Sequence, residues 1–239
     1  DAYRNATLRA NLAHTWRPDH ELSASVLHTQ ARTEFDGSFE NRTRSELTVL
    51  ALNSADKLAE HWTSRLTLGQ ASNIARNALD ATSTSRFATK NQQLTWTNEF
   101  RLDPAQTILA GFEWLRQSVD STTAYDQVTR RVSSPFTGYY LKRGAFAAQI
   151  TVRHDHYSDI AAATTGRLSL GYDVTPRLQL RAAVASAFKA PSFDDLYFPL
   201  FGNPDLAPER ARSIEAGVRA EFENNAYLDI GAFSNRLRD

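Results

Sequence analysis

The sequence predicts an all-β chain: an antiparallel up-and-down sheet of about twelve strands, forming a segment of a transmembrane β-barrel. Three observations carry this. Apolar residues recur with period two over runs of about 9–13 residues, whereas a soluble strand averages ~5–6 and a tilted bilayer crossing needs ~9–11. The connections alternate between short turns and longer polar loops, which gathers the turns at one end of a sheet and the loops at the other. The face opposite the apolar one is charged, as a water-filled lumen requires.

The predicted strands, in order, cover 6–16, 21–33, 42–53, 60–71, 90–102, 107–119, 133–141, 145–157, 164–174, 178–189, 212–222 and 226–236. The first places Arg9 and Asn11 on its polar face and ends at Trp16; in 21–33 the alternation is sparse. Strand 60–71 opens at Trp62 and sets Arg65 and Thr67 on the polar side. In 90–102, Leu94, Trp96, Phe100 and Leu102 oppose Gln93, Thr95, Thr97, Glu99 and Arg101, and 107–119 contains Trp114. Strand 133–141 alternates poorly and carries Tyr139 and Tyr140. In 145–157, Phe146, Ala148, Ile150 and Val152 oppose Gln149, Thr151 and Arg153. In 164–174, Leu168, Leu170, Tyr172 and Val174 oppose Arg167, Ser169, Gly171 and Asp173. In 178–189, Leu178, Leu180, Ala182, Val184 and Phe188 oppose Gln179 and Arg181; a helix would set Leu178 and Leu180 about 200° apart, so the split selects a strand. Strand 212–222 alternates Ile214, Ala216, Val218, Ala220 and Phe222 against Glu215, Gly217, Arg219 and Glu221, and 226–236 opens at Tyr227. Trp and Tyr near strand ends suit the aromatic girdles of a membrane interface, although strands of a soluble sheet favour aromatics too.

Short connections are expected at 17–20, 54–59, 103–106, 142–144, 175–177 and 223–225, where Pro, Asp, Asn and Gly form turns. Longer ones are expected at 34–41, 72–89, 120–132, 158–163 and 190–211. A Greek-key sandwich has no reason to obey this alternation.

Composition narrows the functional classes. In 239 residues, 27 Lys+Arg balance 27 Asp+Glu, which removes the basic excess of a nucleic-acid binder. There is no Cys, hence no disulfide framework, thiolate metal site or cysteine nucleophile. There is no Met either, so the chain is expected to be a processed product or an excised piece. No apolar run approaches the ~18 residues of a membrane helix. G-x-S-x-G, G-x-x-x-x-G-K and H-E-x-x-H do not occur, and no enzyme is expected.

The most specific stretch runs from Ala185 to Tyr197 as ASAFKAPSFDDLY, continues through Gly202-Asn203-Pro204-Asp205-Leu206-Ala207-Pro208-Glu209, and closes at Glu215-Ala216-Gly217. It resembles the barrel of TonB-dependent outer-membrane receptors, in which a strand enters "FKAPSFxxLY", an outer loop carries "GNPxLxPE", and the chain returns at "ExG". The matching positions are Phe188, Lys189, Ala190, Pro191, Gly202, Pro204, Pro208, Glu209, Glu215 and Gly217. Arg153 to Asp159 and Ala232 to Asp239 are similar to the neighbouring strands, so 107–239 carries most of the likeness and 1–106 agrees by pattern. The hairpin around Lys142-Arg143-Gly144 is shorter than usual in the family.

Independently of the family, Pro191 lacks an amide donor and ends the ladder, Gly202 and Asn203 tolerate left-handed turns, and the apolar body of 190–211 can fold on itself. Such long loops are often functional. Phe193, Tyr197, Phe198, Phe201 and Asn203 are the candidate ligand contacts, with the shaping of the loop alone as the alternative role.

The resemblance implies an outer-membrane active transporter of the cobalamin (vitamin B12) or ferric-siderophore type. It implies membrane lipid, TonB acting through a plug domain, and a corrinoid or iron chelate as partners, no nucleic acid, and a monomeric parent. Residues 1–239 would be part of a larger barrel, with plug and remaining strands outside the chain. A soluble all-β binding or scaffold domain and a porin-type passive barrel are the alternatives. His154 and His156 share a strand face but have no third ligand in view, so no zinc site is expected. Glu34 and Asp36, with Asn41 nearby, are weak calcium candidates, well short of the ~6 oxygens calcium takes.

Overall fold

The computed structural model describes residues 2–238. Its twelve strands form one sheet in chain order, each antiparallel to the next. They are β1 (Ala2–Arg17), β2 (His20–Glu34), β3 (Arg42–Ala59), β4 (Trp62–Leu79), β5 (Thr82–Asp103) and β6 (Gln106–Ser121). Then follow β7 (Thr129–Arg143), β8 (Phe146–Tyr157), β9 (Ala163–Thr175), β10 (Leu178–Lys189), β11 (Glu209–Glu221) and β12 (Tyr227–Arg238). One helix, α1 (Phe193–Tyr197), lies between β10 and β11. The sheet is open among the described residues, with β1 and β12 as its edges.

Every expected strand is present, and most run further than the alternation showed. Two expected connections are corrected. Residues 72–89 are not a long loop: β4 continues to Leu79, β5 starts at Thr82, and Asp80 at φ 52° makes the turn. Residues 54–59 belong to β3, and the turn that follows is at 60–61. The alternation of turn lengths therefore fails at the β4–β5 hairpin. The physical reason is that each face of this extension mixes polar with apolar residues (Ser72, Ile74, Arg76 and Ala78 on one side of β4; Asn73, Ala75, Asn77 and Leu79 on the other), so no period-two signal exists there.

Register fixes the two faces. Leu68 stands opposite Leu94, which stands opposite Trp114. Ile150, Leu168, Val184 and Ile214 form one row across β8 to β11. In the chain alone Leu68, Ile150, Leu168, Val184 and Ile214 are exposed and Leu94 and Trp114 half-buried, as on a face left for lipid to cover. At its turn end the same face carries an aromatic fringe. Trp62 stacks on Phe100 at 5.6 Å and donates from Nε1 to Asn98 Oδ1 at 2.9 Å, while Trp96 Nε1 donates to Ser64 Oγ at 3.0 Å. Indoles with an apolar body and a satisfied N–H suit the membrane boundary.

The opposite face holds charges in opposed pairs. Arg65 meets Glu99 at 3.6 Å, Arg167 meets Glu215 at 3.7 Å, and Arg181 donates to Asp229 at 2.8 Å. Arg153 joins three strands, donating to Glu113 Oε1 at 2.8 Å and to Asp155 Oδ1 at 2.7 Å, and Ser134 Oγ donates to the same Asp155 oxygen at 2.5 Å. The β7–β8 register is continuous across this network, from Val132 opposite Tyr157 to Arg143 opposite Phe146.

Candidate ligand-contact loop

The chain leaves the sheet at Lys189, whose Nζ donates to Glu209 Oε1 at 2.6 Å on the returning strand. That contact joins the two ends of the motif loop. Pro191 is buried and Ser192 begins α1 with a reciprocal cap: Asp195 N donates to Ser192 Oγ at 3.1 Å, and Ser192 N donates to Asp195 Oδ2 at 2.8 Å. The local sequence S-F-D-D dictates this, because a carboxylate three residues past a capping serine satisfies two otherwise orphaned amides. The Ser192 amide and hydroxyl hold the Asp195 carboxyl below the usual carboxylate range. Leu196, only 1% exposed, is the apolar anchor of the turn.

The helix rests on a buried ion pair that the sequence reading did not single out. Arg130, from β7, is 3% exposed. Its Nε donates to both oxygens of Asp159 at 2.9 Å. Its Nη1 donates to the Pro191 carbonyl at 2.8 Å, and the guanidinium lies 5.1 Å from the Phe193 ring centre and 5.9 Å from that of Tyr157. Tyr197 donates its hydroxyl to Asp159 Oδ2 at 3.2 Å. Burial and the Asp159 carboxylate raise the Tyr197 phenol above its ordinary value. Arg130 shares its side of β7 with Ser134, which stands opposite Glu113. The loop therefore folds over the charged face of the sheet, away from the apolar one.

A second strut comes from residues 122–128. Tyr125 donates its hydroxyl to Asp194 Oδ1 at 2.6 Å and meets Phe198 edge-on at 5.9 Å. Desolvation, then the hydrogen bond and charge of Asp194, pushes the Tyr125 phenol up to about 12. The return of the loop is tight. Gly202 N donates to the Phe198 carbonyl at 2.7 Å, and a Cβ on Gly202 would stand 2.7 Å from the Leu196 carbonyl. Asn203 N donates to the Asp195 carbonyl at 2.8 Å, and Asn203 Oδ1 accepts from Asp205 N at 3.0 Å.

The five candidate contacts thus separate. Phe193 and Tyr197 clasp the Arg130–Asp159 pair, and Asn203 closes the turn. Phe198 and Phe201 present ring surface, and between them Leu200, in the left-handed region at φ 69°, stands 98% exposed beside Phe201 at 83%. A branched residue at positive φ is uncommon and is held only where its surroundings fix it. Here the Phe198 carbonyl, accepting from both Phe201 and Gly202, fixes it.

Two further motif positions meet neighbours within the sheet. Phe188 packs on Tyr157 at 5.7 Å, and Gly217 leaves the space that the Arg181 side chain crosses, where a Cβ would sit 2.7 Å from Nε. Glu34 is held by Arg32 and by Arg42 at 3.4 Å. Asn41 bonds the Asp80 carboxylate at 2.8 Å. His154 Nδ1 lies 2.8 Å from Thr164 Oγ1. Among the described residues no group of three or more His, Cys, Asp or Glu side chains is arranged to hold a metal ion.

Comparison with known proteins places this geometry. The vitamin B12 transporter BtuB of Vibrio vulnificus (strain YJ016) is 26% identical over 251 aligned residues, covering 99% of this chain and 40% of that protein. BtuB of Photobacterium profundum is 29% identical, covering 91% of this chain and 36% of that protein. The chain therefore spans well under half the length of these relatives. Among solved structures, the ferric enterobactin receptor PfeA of Pseudomonas aeruginosa superposes with a TM-score of 0.87 at 15% identity, over 99% of this chain and 43% of that one. The siderophore receptor PirA of Acinetobacter baumannii gives 0.84 at 15% identity, over 99% and 43%. These structures establish the fold. Residues 1–239 also match the family described as TonB dependent receptor-like, beta-barrel. A strand meander with one lipid-type face and one ion-paired face is what that description requires, and the chain belongs to the TonB-dependent receptor β-barrel family.

Proposed function

We propose that the chain supplies barrel wall and outer loops to an outer-membrane active transporter that captures a corrinoid such as vitamin B12. The exposed Phe198–Leu200–Phe201 tip, braced over the charged face by α1, carries this reading. A large, partly apolar cargo in dilute solution needs preorganised aromatic surface, since ordering a loop on binding costs affinity. The sequence relatives named as B12 transporters support the corrinoid; a ferric siderophore is the alternative cargo. In this reading the plug of the intact receptor couples release to TonB, and the wall conducts the ligand past the Arg153–Glu113 network.

The test is growth rescue by the full-length gene in an auxotroph with and without a functional TonB system. Rescue on limiting vitamin B12 that requires TonB is expected, and Phe198→Ala/Phe201→Ala should weaken cell-surface corrinoid binding by about tenfold or more. Rescue on a ferric siderophore alone would replace the cargo assignment. Rescue by either without TonB would overturn active transport.

A further inference from the structure

Beyond the loop end of its apolar band, the outward face carries arginines that oppose one another. Arg4, Arg32, Arg44, Arg76 and Arg86 stand directly opposite across β1 to β5, one row of five guanidinium side chains on consecutive strands. Arg116 and Arg131 oppose each other on β6 and β7. On β11 and β12, Arg210 faces Arg238 and Arg212 faces Arg236. Like charges directly opposite destabilise a sheet, because their Cβ atoms are only ~5 Å apart. On the inner face, by contrast, Arg65, Arg153, Arg167 and Arg181 each meet a carboxylate.

The outward arginines are only partly compensated. Glu34 meets Arg32, Glu46 meets Arg76 at 3.7 Å, and Asp120 meets Arg86 at 2.7 Å. Among the described residues, Arg4, Arg44, Arg116 and Arg131 take part in no ion pair, and all four are exposed. Lys90, one strand from Arg116 and also exposed, adds to the excess. Arg116 follows Trp114 by two residues on the same side of its strand, and Arg212 precedes Ile214 by two, so these guanidinium groups begin ~7 Å along the strand from the apolar band. Charge at that level, continuous with a lipid-facing band, calls for an anion at the membrane boundary. Planar guanidinium groups match phosphate in a bidentate way.

We propose that the opposed arginines next to the apolar band, Arg116 with Arg131 and Arg212 with Arg236, bind phosphorylated lipid headgroups of the leaflet at the loop end. The inference rests on the membrane-spanning reading above and adds to it a defined anionic partner. These like-charge pairs then become sites that are neutralised on insertion, with the long stems lying along the apolar band and the heads in the headgroup layer, while the row from Arg4 to Arg86 stands farther out on the same face.

The test uses the intact receptor, purified in detergent and mixed with bisphosphorylated lipid A, with the same lipid after enzymatic dephosphorylation, or with inorganic phosphate, and read by native mass spectrometry. Bisphosphorylated lipid should be retained and the dephosphorylated form lost. Arg116→Gln/Arg131→Gln should reduce retention by about tenfold or more, while Arg116→Lys/Arg131→Lys keeps most of it and Arg65→Gln on the inner face changes nothing. Equal retention of the two lipids, or wild-type retention by the glutamine variant, overturns the proposal. Displacement of the lipid by inorganic phosphate at equal concentration also overturns it, assigning the arginines to a soluble anion. Insertion into vesicles is measured in parallel: a wild-type receptor that does not insert overturns the membrane reading itself, whereas one that inserts without phosphate selectivity overturns only the lipid site.

Discussion

At the scale of single residues, Arg130 and Asp159 explain why the motif loop has a fixed shape. Breaking a buried pair from one side leaves a buried charge, which costs about 3–5 kcal/mol. Asp159→Asn should therefore release α1 from the sheet, seen as faster hydrogen exchange at the Leu196 and Asn203 amides; unchanged exchange would show that the loop is held elsewhere. Tyr125 gives a pH signature. Its phenol is pushed up to about 12, so the neutral form is favoured when folded. The Tyr125–Asp194 tie contributes fully below the ordinary phenol value of ~10 and is lost as pH rises through about 12. Asp194→Asn should lower the titration midpoint of Tyr125, followed by phenolate absorbance, without restoring the ordinary value, because desolvation is the larger cause. Neither anchor was legible from sequence. Arg130 is one arginine beside another, Arg131, and the two differ only in which side of β7 they take, a fact that register supplies. Asp159 figures in the sequence only as the end of the family-like stretch Arg153 to Asp159, within which His154 and His156 lie on the other face from Asp155.

At the scale of elements, α1 has only five residues and cannot persist by helix propensity alone. Its cap and its docking hold it. Ser192→Ala removes one side of the reciprocal cap and should cost about 1 kcal/mol of local stability, measurable as earlier proteolytic nicking within 190–208. The Asp195 carboxyl sits below its ordinary range, so the cap contributes above that range and is lost as pH falls through the lowered value; nicking should then accelerate in acid, and Ser192→Ala should blunt that acceleration. Equal nicking of variant and wild type at all pH would sink the capping account. The strands themselves were readable wherever one side met lipid, as in β8 to β10. The β4–β5 extension was not, because a ribbon wet on both sides gives no alternation, and only the Asp80 turn hints at a hairpin.

At the scale of the whole molecule, the twelve-stranded sheet has two unpaired edges among the described residues, Ala2–Arg17 and Tyr227–Arg238. Barrels of the TonB-dependent receptor family close with about 22 strands, and closure is what removes such edges. The isolated chain, with its apolar face uncovered as well, should associate in detergent-free buffer. Sedimentation would check this, and a stable monodisperse monomer would contradict the membrane assignment of the apolar face. The order of the strands needed no structure, since short turns force neighbours to pair. The docking of loop 190–208 on β7 did need it, because the partners lie 61 residues apart in the chain and no local pattern links them.

The two-residue turn after Leu79 has a further consequence. From Leu94 back to Thr82 the ribbon runs ~40 Å, which at a tilt of about 40° lifts the turn ~30 Å beyond the apolar band. In the outer-membrane receptor proposed above, this hairpin is then a mast rather than a lip of the pore. The tip at Asp80–Ala81 is what an antibody approaching from the medium meets early, and a short epitope inserted there should be stained on live cells without disturbing the barrel beneath.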